Sequence, residues 1–170
     1  MEIYGDGITN VSALTETLAK EYDLSFQVPR QESVDDVIQQ ANETLQLSPI
    51  YLQSLLRNNR DYLERNYGLI TSVQTIFAFG HLPLKGGIGL SVQLALDSQK
   101  DVFFYDINSS TWFRSVYPNA TFHVWPYLPS LDHHGAILGS LSVGYFTMNE
   151  IRQLFHRTFM QDIVTMFKDL

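Results

Sequence analysis

Residues 75–106 read TIFAFGHLPLKGGIGLSVQLALDSQKDVFFYD, and this stretch decides the fold of the chain. One apolar run ends at Phe79, and a glycine-rich turn follows it. Apolar residues then recur every four positions from Ile88, and a second apolar run ends at Tyr105. The pattern predicts a buried strand, a helix and a second buried strand. Units of this kind build α/β proteins, whose ligands bind beyond the carboxyl ends of the strands.

The rest of the chain also alternates between strand and helix patterns. Gly68 is predicted to end one helix, and Trp112 is predicted to lie in a polar loop. The alternation predicts a single α/β domain over residues 1–170, with a Rossmann-like, mostly parallel sheet flanked by helices. The further strands are predicted at 1–4, 25–28, 121–125 and 136–143, and the further helices at 12–21, 33–45, 48–68 and from Thr147 onward.

Composition and charge restrict the class of partner. A formal net charge of −7 argues against binding to DNA or to an anionic membrane surface. No apolar run approaches the roughly 18 residues that span a bilayer. The chain has no cysteine, which excludes disulfides and thiolate catalysis and favours a cytoplasmic location. Acidic residues concentrate before residue 70, so a neutral or positive pocket is expected in the C-terminal part.

The glycine-rich turn is the first candidate binding site. Gly80, Gly86 and Gly87 would let a ligand approach the backbone, and the amides at the start of the helix would donate to a phosphate. Lys85 would add a positive charge, and His81 could donate to the same phosphate. The turn is neither a Walker loop nor a Gly-x-Gly-x-x-Gly motif. The alternative interpretation is an ordinary strand-to-helix turn with a solvated lysine.

Two further pairs of residues are candidates for contacts with a nucleotide. Asp6 and Asn10 follow the first strand, where they could accept from a ribose hydroxyl or a base edge. The alternative for them is an ordinary turn and a helix cap. Tyr105 and Trp112 carry rings on which bases could stack. Packing in the core is the alternative for such rings, and for Trp112 the choice stays open.

Histidines are the candidate catalytic residues. His133 and His134 follow an aspartate and could act as a base and its orienting group, and His81 lies in the glycine-rich turn. Neighbours along a chain rarely point the same way, and a metal needs three or four converging ligands. The sequence therefore predicts no metal site and no cofactor. A surface loop is the alternative interpretation of the histidine pair.

The pattern around the turn resembles SAVED domains and the related CARF (CRISPR-associated Rossmann-fold) sensors. The resemblance covers roughly half the chain, and the segments that carry it are 77–83, 86–96, 102–105, 112–113 and 136–143. It implies that the chain binds a cyclic oligonucleotide second messenger in prokaryotic antiviral defence. It also implies that the bound messenger controls an effector, here a separate subunit or a second copy of the chain.

Two alternatives stay open beside the sensor interpretation. The chain could be a ring nuclease that degrades such a messenger, although it contains no complete catalytic motif. It could also be a structural or interaction protein that assembles through its aromatic-rich C-terminal half. The last predicted helix is apolar on more than one face, which favours packing against a second subunit and hence a homo-oligomer.

Overall fold

The computed structural model describes residues 2–115, 121–131, 134–139 and 148–158. Within these ranges the chain forms strands and helices in alternation. The strands are β1 (Glu2–Tyr4), β2 (Ser25–Gln27), β3 (Thr75–Gly80), β4 (Asp101–Asp106), β5 (Thr111–Ser115), β6 (His123–Trp125) and β7 (His134–Gly139). The helices are α1 (Asn10–Glu21), α2 (Ile38–Leu45), α3 (Pro49–Ser72), α4 (Gly86–Asp97) and α5 (148–158).

All the described strands belong to one sheet in the order β2-β1-β7-β3-β4-β5-β6. The five strands from β2 to β4 are parallel, whereas β5 runs antiparallel to β4 and β6 runs antiparallel to β5. The predicted fold class is thereby confirmed: the chain is α/β, with a Rossmann-like, mostly parallel sheet flanked by helices.

Successive side chains of the central strands enter two different cores, because a strand points alternate residues to opposite faces. Ile76 and Ala78 of β3 pack under α2, α3 and α4. Phe77 and Phe79 of the same strand pack with residues of α1 and α5 on the other face. Both faces of the sheet are therefore covered, which explains the continuous apolar runs of β3 and β4.

The strand order reverses around β7. Helix α1 connects β1 to β2, which lies on one side of β7. Helix α4 connects β3 to β4, which lies on the other side of β7. Strand β7 is inserted between β1 and β3, so the carboxyl ends of β1, β7, β3 and β4 meet along one border of the sheet. We call this border the switch-point edge. In open α/β sheets it is the usual place for a ligand.

Helix α3 is longer than predicted. The prediction that Gly68 ends it was wrong, because the helix continues to Ser72. Gly68 is a packing residue: a side chain there would overlap the backbone carbonyl of Arg30. The helix bends instead at Asn59, whose φ of −130° and ψ of 21° depart from helical values.

Other boundaries also differ from the prediction. Helix α2 begins at Ile38 rather than near residue 33, and the segment before it is a turn in which the amide of Val34 donates to the Glu64 carboxylate. The prediction of a polar loop around Trp112 was wrong, since this residue lies in β5 and pairs with Tyr105 of β4. Strand β7 begins two residues before the predicted strand at 136–143, whose residues 140–143 lie outside the described ranges.

Two expectations concern the surface of the protein: that no segment spans a membrane, and that the last helix packs against a second subunit. No helix in the described part of the chain is long and apolar enough to cross a membrane. Ile151, Leu154 and Phe155 of α5 are buried against the sheet. The residues after 158, on which the expected subunit contact also depends, lie outside the described ranges.

Replacement of Gly68 by alanine is expected to lower the free energy of unfolding by about 3 kcal/mol, because the added methyl group overlaps backbone that cannot move aside cheaply. Urea denaturation followed by circular dichroism measures the change. Gln53→Ala, at an exposed position of the same helix, is the control and should change stability by less than about 0.5 kcal/mol. A Gly68→Ala variant as stable as the control would contradict the packing role.

Candidate functional site

The glycine-rich turn lies at the switch-point edge, between β3 and α4. Its shape is fixed by β4: the amide of Leu82 donates to the Asp106 carboxylate at 3.1 Å, and the amide of Ile107 donates to the Gly80 carbonyl at 2.8 Å. Lys85 is the N-cap residue of α4 and is exposed. The turn is thus a rigid connection whose lysine side chain points to solvent.

The three glycines of the turn serve different purposes. A Cβ on Gly80 would lie 3.2 Å from Ile88 and Phe104, and a Cβ on Gly87 would lie 2.8 Å from the ring of Tyr62. Close packing therefore favours glycine at these two positions. Gly86 has a φ of +67°, and a Cβ there would meet only the Tyr51 hydroxyl, at 4.0 Å. Gly86 is therefore the glycine of the turn that faces open space, and its conformation favours glycine.

Asp106 ties the turn to the loop after β4. Its carboxylate accepts from the amides of Leu82 and Asn108 and from the hydroxyl of Ser109. Burial raises the pKa of Asp106, but the hydrogen bonds from Ser109, Leu82 and Asn108 outweigh burial and hold the pKa below its usual value. The carboxylate is therefore ionised at neutral pH and acts as a structural acceptor.

Tyr62 of α3 reaches the centre of the switch-point edge. Its hydroxyl donates to the carbonyl of Gly139, the last residue of β7, at 2.7 Å, and its ring packs against Gly87 at the start of α4. Burial raises the pKa of Tyr62, and the nearby charge of Asp6 raises it further. The phenol therefore keeps its proton and remains a donor across the physiological range.

The loop after β1 reaches the same edge, with β7 between it and the tip of β3. Asp6 is 5% exposed, and its Oδ1 accepts from the amides of Ile8 and Thr9 and from the Thr9 hydroxyl. Thr9 in turn caps α1. Asp6 thus fixes the loop, while Asn10, the first residue of α1, is exposed.

Tyr105 and Trp112 lie on the opposite face of the sheet from α4. Each is 7% exposed, their ring centroids are 5.3 Å apart, and both pack against Phe79. Little ring surface is left for stacking on a base. The indole Nε1 of Trp112 is buried and finds no partner among the described residues. Burial raises the pKa of Tyr105 and that of its hydrogen-bonding neighbour Glu150.

The two candidate histidines in the described ranges, His81 and His134, lie at opposite ends of the parallel strands. His81 follows β3 at the switch-point edge, and its buried Nδ1 has no partner among the described residues. His134 begins β7 and pairs with Glu2, so its backbone lies at the opposite edge of the sheet, about 23 Å from the level of His81 along the strand direction. His133 lies outside the described ranges. Within those ranges no group of three His, Asp or Glu side chains could hold a metal ion.

An arginine-lined cleft on α3 is the feature that the sequence reasoning missed. The cleft has a volume of about 310 Å³ and is lined by Arg57, Asn58, Asn59, Arg60, Asp61, Tyr62 and Arg65. We call it the arginine cleft. It lies at the bend of α3, and one of its lining residues, Tyr62, also packs against Gly87 at the start of α4. The signal in the sequence is three arginines within nine residues, which lie in the acid-rich part of the chain.

Comparison with protein-family models, with curated proteins and with solved structures finds no match to this chain. The fold and the geometry of the switch-point edge are therefore the basis of the functional argument.

Replacement of Tyr62 by phenylalanine is expected to destabilise the protein by about 1–2 kcal/mol, because the buried hydrogen bond to the Gly139 carbonyl is lost while the packing of the ring is kept. Urea denaturation measures the change. Tyr51→Phe is the matched control at a 42% exposed position of the same helix and should have little effect. Equal stabilities of the two variants would show that the Tyr62 hydroxyl does not join α3 to β7.

Replacement of Asp106 by asparagine is expected to cost about 2 kcal/mol at pH 7, because hydrogen bonds to an ionised carboxylate are lost. The pKa of Asp106 is lowered in the folded state, so its contribution is complete above the unfolded pKa of about 3.9 and is lost as the pH falls through the folded pKa. Denaturation at a series of pH values should show wild type and variant converging below about pH 4.

The neighbouring variant Asn108→Ala is the control for this pH series. It removes no titratable group, so its difference from wild type should stay constant over the same pH range. A constant difference for Asp106→Asn as well would contradict the assigned role of the ionised carboxylate.

Proposed function

We propose that this chain binds a nucleotide-like anion at the switch-point edge. The single observation that supports this proposal is the reversal of the strand order at β7, which brings the start of α4 and the loop after β1 to the same edge. The resemblance to SAVED and CARF sensors suggests the ligand class, a cyclic oligonucleotide messenger. The chain would then be a cytoplasmic sensor subunit in prokaryotic antiviral defence.

The start of α4 supports a phosphate contact. Thr9 caps α1 and Ser48 caps α3 with a side-chain oxygen, whereas Lys85 before α4, like Val37 before α2, provides no side-chain cap. The first amides of a helix have no partner within the helix, and the helix dipole favours a negative charge there. Gly86 leaves the approach open, and the Lys85 ammonium group is free to turn toward a bound anion.

The arrangement of the edge also suggests how a sensor would report its ligand. The start of α4, Tyr62 of α3 and Gly139 of β7 are in direct contact, so a ligand on α4 acts on elements from both halves of the chain. A ligand that binds one arrangement of these elements more tightly shifts the population toward it. Association with an effector subunit or a second copy would read out that shift.

A ring-cleaving enzyme is the second candidate, and His81 is the residue that favours it. Its Nδ1 is buried at the switch-point edge without a partner among the described residues. In such a reaction the imidazole accepts the proton of a ribose 2′-hydroxyl, and the 2′-oxygen attacks the adjacent phosphorus. The 5′-oxygen then leaves with a proton, and a linear product with a 2′,3′-cyclic phosphate results.

Cyclic di- and triadenylate are expected to raise the melting temperature by about 5–10 °C at 100 times their Kd, because the ligand binds only the folded chain. Differential scanning fluorimetry measures the shift. Lys85→Glu should reduce it, whereas Lys100→Glu makes the same charge change at the opposite edge and should not. Chromatography of the nucleotide after incubation with the protein distinguishes binding, which leaves the nucleotide cyclic, from cleavage, which yields a linear product.

The absence of any shift at millimolar concentrations of these cyclic nucleotides would reject the proposed ligand class. An equal loss of the shift in Lys85→Glu and Lys100→Glu would reject the proposed location.

A further inference from the structure

We propose that the arginine cleft is a second phosphate-binding site, continuous with the start of α4, and that the ligand of this protein therefore carries two or more phosphates. The identity of that ligand as a cyclic oligonucleotide rests on the proposed function. The phosphate site itself rests on the cleft alone, and inorganic tripolyphosphate tests it without any nucleotide.

The charges of the cleft favour an anion. Three guanidinium groups line it against one carboxylate, that of Asp61, in a chain whose formal net charge is −7. Arg60 already has a partner, since its Nη1 lies 2.6 Å from the Asp35 carboxylate. Arg57 and Arg65 form no salt bridge among the described residues, so they are the two arginines available to a ligand.

Arg65 carries a buried hydrogen-bond donor that has no acceptor among the described residues. Its side chain is half-buried on the wall of the cleft, and its Nε is buried without a hydrogen-bond partner among the described residues. A buried donor without a partner costs free energy, and most such donors in proteins are satisfied. A phosphate that bound in the cleft would place acceptor oxygens beside this guanidinium group, whose Nε is itself shielded from solvent. The planar guanidinium group also matches two phosphate oxygens at once, which an ammonium group does not.

The bend of α3 creates the room for this ligand. Asn59 departs from helical backbone angles at the centre of the cleft, between Arg57 and Arg60. A straight helix would keep arginines at these positions on a convex, solvated surface. The bend instead produces a concave wall of about 310 Å³, which is enough for one phosphate group and its neighbouring atoms.

Tyr62 connects the cleft to the proposed site at α4. Tyr62 is one of the residues that line the cleft, and its ring packs against Gly87. The same residue thus contacts both the cleft and the start of α4. A compound with a single phosphate can use one of the two sites, whereas a compound with two phosphates can bridge Tyr62 and use both.

Isothermal titration calorimetry with inorganic tripolyphosphate tests the cleft. The double variant Arg57→Gln/Arg65→Gln is expected to bind tripolyphosphate about tenfold more weakly than wild type, because charge-assisted hydrogen bonds are lost. If the double variant does not fold because the half-buried Arg65 is needed for stability, the single variant Arg57→Gln replaces it. Arg57 is exposed, and its replacement alone should also weaken binding. Arg57→Lys keeps the charge but loses the fork geometry and should fall between wild type and Arg57→Gln.

The matched control is Arg157→Gln, at an exposed position of α5 on the opposite face of the sheet, and it should bind tripolyphosphate like wild type. Unchanged binding in the arginine variants, or equal weakening in Arg157→Gln, would overturn the proposal. If tripolyphosphate depends on Arg57 and Arg65 while no cyclic nucleotide binds, the cleft is supported and the proposed function fails. If cyclic nucleotides depend on Lys85 but not on these arginines, the cleft fails alone.

Discussion

The hydrogen bond from the Tyr62 hydroxyl to the Gly139 carbonyl joins the two halves of this protein at one point. Strand β7 is formed late in the chain, yet it is inserted between strands that come from the first half. Tyr62 fixes its carboxyl end against α3, and the same ring fills the space above Gly87. Pairing with β1 and β3 sets the position of β7 in the sheet, and Tyr62 adds a direct link between its carboxyl end, α3 and the start of α4. Burial keeps its phenol protonated and therefore able to donate.

The charges around the bend of α3 differ from what the net charge of that part of the chain indicates. The acid-rich first part of the chain led to the expectation of a neutral or positive pocket in the C-terminal part. In the structure, three arginines of the first part, which are close together in the sequence, line a cleft at the bend of α3. Acidic side chains of the same part are dispersed: Asp6 holds its own loop, Glu64 accepts from Val34, and Asp35 pairs with Arg60. The net charge of a segment does not indicate this distribution, because it does not say where each charged side chain lies in the folded protein.

The aromatic residues of the C-terminal half largely stabilise the sheet itself. Phe103 and Trp125 hold the Arg114 guanidinium group between them, with its Cζ 5.0 and 4.7 Å from the two ring centroids. Tyr105, Trp112 and Phe79 form a second cluster toward the switch-point edge. Ring pairs of this geometry add to the stability that burial provides. Packing within the sheet thus accounts for these aromatic residues of the described ranges.

The sequence by itself determined the elements whose signals are local. The apolar runs before Phe79 and Tyr105, the period of four from Ile88 and the Ser48-Pro49 helix start predicted their strands and helices, because repeat and capping patterns depend only on neighbours. The tertiary structure alone decided that Gly68 permits the approach of Arg30, that Trp112 lies in a strand, that His81 and His134 occupy opposite edges, and that the arginines line a bend. The role of Gly68 and the positions of the two histidines depend on contacts between residues far apart in the chain, which no local pattern encodes. The strand at Trp112 and the bend at Asn59 are local in sequence, but the pairing of β5 with β4 and the backbone angles of Asn59 were not visible in the residue pattern.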